Sequence, residues 1–155
     1  MRAARALGAV AALVTIGTAE ALASNAQLAD LPGRARPTLT GGGAALTFVG
    51  IALSVAVYVA LGVLLARDGA PERRVVSTGV AVGAGAGLIG GTIRAYLVRD
   101  YLGGVLAGFG LADLLIVTLA VFVALSLGVS VAAGASLTWL SSRAARRFAR
   151  PRPPS

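Results

Sequence analysis

The sequence has no cysteine and no histidine, and its fourteen basic residues are all arginine, so lysine is missing too. Without cysteine or histidine there is no disulfide framework, no zinc or iron-sulfur site of the usual ligand types, no haem axial histidine, and no Ser-His or Cys-His nucleophile pair. Without lysine there is no Schiff base, no Ser-Lys dyad and no P-loop. The lack of thiols says nothing about redox compartment. Charge is scarce as well: 13% of the 155 residues are charged and 57% are hydrophobic. Soluble proteins carry about a quarter charged residues, so an ordinary water-soluble domain is excluded. Arginine to the exclusion of lysine, with abundant alanine and 21 glycines, fits a GC-rich coding sequence and hints at a prokaryote.

What is present is long apolar runs. About 20 apolar residues cross the roughly 30 Å hydrocarbon layer as a helix. Three segments meet this length: Ala44 to Ala66, Val75 to Val98 and Leu114 to Leu140. A fourth, Ala6 to Ala23, is shorter and carries Glu20 near its end. It reads either as a retained first span or as a cleaved signal peptide, with Arg2 and Arg5 as the charged region and Ala21-Leu22-Ala23 as the cleavage site. The expected fold is therefore an all-α integral membrane protein with four transmembrane helices, or three if residues 1–23 are removed. It forms a single membrane domain with Gly/Ala-rich packing.

Arginines orient the spans. Arg2, Arg5, Arg67, Arg73, Arg74, Arg143, Arg146, Arg147, Arg150 and Arg152 fall on one side, against Arg34, Arg36 and Arg99 on the other. The positive-inside rule then puts both termini in the cytoplasm of a cell-membrane protein. A fifth span within Leu102 to Leu140 would place the tail arginines outside, so Tyr101 to Gly110 is expected as an interfacial loop or a short surface helix. Ser24 to Gly43 is expected as an irregular outer loop, and Arg67 to Arg74 as a turn that makes the second and third spans an antiparallel hairpin.

The strongest pattern is Gly79, Gly83, Gly87 and Gly91, three successive GxxxG steps on one helix face. Lipid offers no hydrophobic drive for helix association, so small residues that let backbones approach mark a packing surface. The fourth span offers a matching row in Ala120, Ala124, Gly128, Ala132 and Ser136. Packing within the chain and self-association into a homo-oligomer or pore both remain open. The run Gly85-Ala86-Gly87-Leu88-Ile89-Gly90 matches GxGxxG only formally, because a dinucleotide site needs flanking strands in a soluble sheet.

Arg94 lies about 20° from the glycine face, and with Glu20 and Asp113 it forms a candidate charge cluster near the outer boundary. Ionisable groups at membrane depth are costly and tend to pair, or they snorkel to the interface. Asp100 and Asp113 do not suit a proteolytic acid pair, since Asp100 belongs to a loop beside Arg99. In the tail, Arg143, Arg146, Arg147 and Arg150 recur at helical spacing and are expected to contact anionic lipid.

Neither a catalytic site nor a cofactor or metal site is expected. Membrane lipids, a second copy or another membrane protein are the expected partners, and nucleic acid is not. The sequence favours a structural or accessory membrane subunit using glycine-mediated packing. The alternative is a small transporter or channel component acting as an oligomer.

Overall fold

The computed structural model describes residues 2–29 and 41–148. Among these the chain is all helical. The order is α1 (Arg2–Ala29), α2 (Gly41–Arg67), α3 (Glu72–Gly108), a short 3-10 turn (Ala112–Leu114) and α4 (Leu115–Phe148). All four helices are long and apolar enough to cross a membrane.

The two tight connections use the same device. At the end of α2, Gly69 has φ +66°, Ala70 N–H donates to Leu65 O at 3.0 Å and Gly69 N–H to Ala66 O at 3.1 Å. This is a Schellman stop, in which a left-handed glycine lets two amides turn back onto the last carbonyls. Pro71, with φ fixed by its ring, then starts α3, and Glu72 sits in the first turn where the helix dipole favours an anion. At the end of α3, Gly110 has φ +71°, Leu111 N–H donates to Leu106 O at 2.8 Å and Gly110 N–H to Ala107 O at 3.0 Å.

That second stop corrects an expectation. Tyr101 to Gly108 is neither a loop nor a separate surface helix but the continuation of α3, which runs for 37 residues. Gly103 and Gly104 each cost a helix only about 1 kcal/mol, while Leu102, Val105, Leu106 and Ala107 continue its apolar sequence. The helix ends only where Gly110 can take the positive φ. The other boundaries shift in the same direction. Residues 24–29 and 41–43 of the expected outer loop are helical, and its remainder lies outside the described residues. The basic segment is helical as far as Phe148, continuous with α4.

Around the bundle the helices follow the order α1, α2, α4, α3. The most extensive interface is between α3 and α4, and α2 and α3, although consecutive, meet only slightly across the diagonal. Leu13, Tyr58, Leu61, Leu65, Ala70, Val75 and Val82 form the buried cluster, joined by Ala6, Ala9, Val10, Val57, Ala86 and Leu137. Most of these residues lie toward the α2–α3 turn, so the buried core sits mainly in that half of the bundle.

Candidate functional site

Two sets of contacts hold α3 to its neighbours, and a cavity lies between them. The first is the meeting of α3 with α4. Gly79, Gly83, Gly87 and Gly91 are all buried. A Cβ at Gly79 would fall on the carbonyl of Gly134, one at Gly83 on the carbonyl of Ser130, one at Gly87 2.9 Å from Leu127 Cα and one at Gly91 3.0 Å from Ser126 Cβ. At Gly79, Gly83 and Gly87 backbone meets backbone, and only glycine on α3 leaves room. On α4 the facing row is Ser126, Ser130, Gly134 and Thr138. The expected row is two residues out of step, which on a helix is about 200°, the opposite face. Ala120, Ala124, Gly128, Ala132 and Ser136 are exposed, and a Cβ at Gly128 would meet nothing within 4 Å. Gly128 and Ala132 therefore do not pack on α3.

The sequence carried a signal for the correct row. Its members bring three hydroxyls, and polar groups in a membrane helix face protein in preference to lipid. Thr138 is fully buried, and its Oγ1 has no hydrogen-bond partner among the described residues.

The second set joins α3 to α1. Arg94 Nη2 donates to Glu20 Oε2 at 2.6 Å, and Nε donates a longer bond of 3.4 Å to Gly17 O. The guanidinium points into the protein, as its place near the glycine face implies, but its partner is on α1. Gly50 of α2 makes room for the acid: a Cβ there would stand 2.8 Å from Glu20 Oε2. Of the expected three-member cluster, Glu20 and Arg94 come together and Asp113 does not. Asp113 sits in the exposed 3-10 turn before α4.

Between these contacts lies a cavity of about 410 Å³ lined by all four helices. Glu20, Arg94 and Thr47 stand at its end away from the α2–α3 turn and Tyr58 and Leu137 at its end nearer that turn. Ser54, Ser126 and Ser130 lie between, and Gly87, Gly90 and Gly91 form the α3 side. Ser54, Tyr58 and Ser126 are isolated polar residues in their own spans, and only the packing shows that they share one space. Ser130 joins them because it lies one turn beyond Ser126. Thr118 stays apart and donates to Leu114 O in its own helix at 2.9 Å.

No family model matches the chain, and no curated protein or solved structure shows detectable similarity to it.

At the opposite end the charges tie helix ends together. Arg5 Nη1 and Asp68 Oδ2 lie 2.6 Å apart, joining α1 to the α2–α3 turn. Glu72 accepts from Trp139 Nε1–H and lies 3.2 Å from Arg143 Nη2, while the Arg143 guanidinium stacks 4.2 Å above the Trp139 ring. Glu72 precedes the apolar stretch that begins at Val75. The Trp139 hydrogen bond, aided by Arg143 and Arg146, holds its carboxyl below the usual range. Arg146 donates to Ala70 O. Of the four arginines expected on anionic lipid, Arg143 and Arg146 are thus engaged with protein, Arg147 is exposed, and Arg150 lies outside the described residues.

Proposed function

We propose that the chain is a structural or accessory subunit of a membrane assembly, docking on another transmembrane helix through the outward face of α4. The observation that carries this reading is the exposed row Ala120, Ala124, Gly128, Ala132 and Ser136. Gly79, Gly83, Gly87 and Gly91 of α3 are already covered by α4, and a row of small residues that still allows close backbone approach lies on α4 itself. The arginine imbalance supports a cell-membrane orientation with the α2–α3 turn and the C-terminal end of α4 in the cytoplasm, where Arg147, Arg73 and Arg74 would meet anionic headgroups.

Native mass spectrometry of protein gently extracted from its own membrane tests the reading. The expected result is a defined complex, with a second copy or another membrane protein, that is lost on Gly128→Leu with Ala132→Leu while helicity and thermal midpoint are kept. A monomer, or a complex indifferent to both substitutions, overturns it. Gly83→Ile and Gly87→Ile would not serve, because they would break the α3–α4 contact inside one chain. The cavity favours a second reading, a small transporter or channel component, for which flux in liposomes containing the purified protein is the assay.

A further inference from the structure

The cavity has two chemical zones, and together they describe a ligand. At its end away from the α2–α3 turn is a salt-bridged pair, with the Glu20 side chain 17% and the Arg94 side chain 37% exposed. Arg94 uses two of its five N–H donors there, leaving three for a ligand, and the second oxygen of Glu20 remains an acceptor. Inward, apolar side chains and glycines line the walls together with the hydroxyls of Ser54, Tyr58, Ser126 and Ser130. The space reaches the surface between α2 and α4, where its lining residues Ile51, Val55 and Val129 are exposed, Val129 at 70%. A volume of about 410 Å³ falls in the range of small-ligand sites, about 300–1,000 Å³.

A separate observation points to an occupant. Tyr58 is 4% exposed and lines the end nearer the α2–α3 turn, yet its hydroxyl, like those of Ser54, Ser126 and Ser130, has no hydrogen-bond partner among the described residues. These four hydroxyls open onto one space, each able to donate, and so suit a ligand that carries acceptors.

From this arrangement we infer that the cavity binds a zwitterionic amphiphile, a lipid whose headgroup carries both a phosphate and a primary ammonium. The phosphate meets the free donors of Arg94, the ammonium meets the Glu20 carboxylate, ester oxygens meet the hydroxyls, and the hydrocarbon leaves between α2 and α4. Charge selects the class. The Glu20–Arg94 pair is neutral as a whole, so a net anion entering the site has no uncompensated cation to meet, whereas a zwitterion matches both partners. A quaternary ammonium has no N–H for Glu20 and is the weaker ligand. This inference extends beyond the docking role and does not depend on the α4 face.

The test uses the full chain in bilayers of equal parts phosphatidylethanolamine, phosphatidylcholine and phosphatidylglycerol, followed by mild extraction and measurement of retained lipid. Phosphatidylethanolamine should be enriched about tenfold over phosphatidylcholine, the equivalent of one charge-assisted hydrogen bond. Gly90→Leu should abolish the enrichment, because a Cβ at Gly90 meets nothing within 4 Å and the added side chain would occupy the cavity wall. Its helicity and thermal midpoint should match those of the unaltered protein. Glu20→Gln leaves Arg94 uncompensated and should turn the preference toward phosphatidylglycerol. Gly128→Leu, on the outward face, should retain lipid normally. Equal retention of the three lipids overturns the proposal, as does a preference of the unaltered protein for phosphatidylglycerol. So does unchanged retention by Gly90→Leu, or displacement of the lipid by free O-phosphoethanolamine, which would make the hydrocarbon irrelevant.

Discussion

The two ends of this bundle are built from the same composition and behave differently. At the α2–α3 turn, Gly79 lies against Gly134, Gly62 against Thr138 and Tyr58 against Gly134, so at these contacts glycine removes the space between helices. Toward the other end Gly87 and Gly91 still meet α4, but a Cβ at Gly90 would meet nothing within 4 Å, and beside it a cavity opens among all four helices. A small residue therefore does not specify tight packing by itself. Whether it closes a gap or leaves one depends on how closely the facing backbone approaches, and that is decided by helix order. With α2 and α3 on a diagonal, helices meet backbone to backbone near the Schellman turn, the closed end, and leave a space shared by all four toward the other, the open end.

The sharpest way to break this comparison is to add one methyl group at each kind of glycine. Gly83→Ala drives its Cβ into the Ser130 carbonyl, and neither backbone is free to give way. Overpacking of this sort costs about 1–3 kcal/mol. Gly90→Ala meets nothing and should stay within about 0.5 kcal/mol of the unaltered protein. Reversible unfolding in bicelles reads both. Equal losses at the two positions would mean that the ends are packed alike.

How much of this was legible follows from the same distinction. The four spans, the hairpin turn at Arg67 to Arg74 and the inward direction of Arg94 depend on run length and period, which sequence displays. The partner row on α4 did not follow, because that helix carries two small-residue rows on opposite faces and spacing alone cannot choose between them. Ser126, Ser130 and Thr138 marked the right one, since hydroxyls seek protein. The end of α3 is not displayed in the same way, because its charges, Arg99 and Asp100, suggest a membrane boundary, whereas a helix stops where its carbonyls can be capped. The cavity was illegible for a different reason. Ser54, Tyr58 and Ser126 belong to two helices, and each is unremarkable until helix order is known.

A smaller effect tests what holds α1 to the open end. Glu20→Ala removes the partner of Arg94, whose guanidinium remains half-buried against Gly17. Because that group keeps some access to solvent, the loss should be about 1–2 kcal/mol, less than for a fully buried pair. It should appear as faster amide exchange in α1 than in α4. Gly50→Ala presses on the same carboxylate and should weaken the pair by displacing it. If that is how it acts, Gly50→Ala adds little once Glu20 is already alanine, a non-additivity that a double-mutant cycle measures directly. Fully additive losses would show that Gly50 matters for some other contact.

The smallest expected change has the opposite sign and belongs to the closed end. Thr138 is fully buried, its side chain against Gly79 and its backbone carbonyl against Gly62, with Oγ1 unsatisfied among the described residues. Its side chain fills that space, and its hydroxyl contributes no hydrogen bond there. Thr138→Val keeps the shape and removes the unpaired group, so stability should rise by about 1 kcal/mol in the same unfolding measurement. Serine at this position should do worse than threonine, because it keeps the hydroxyl and loses the methyl group that occupies the gap. The order Val above Thr above Ser would establish that contact between surfaces, and not hydrogen bonding, holds α3 to α4 at the closed end, while the reverse order would mean that the hydroxyl has a partner there.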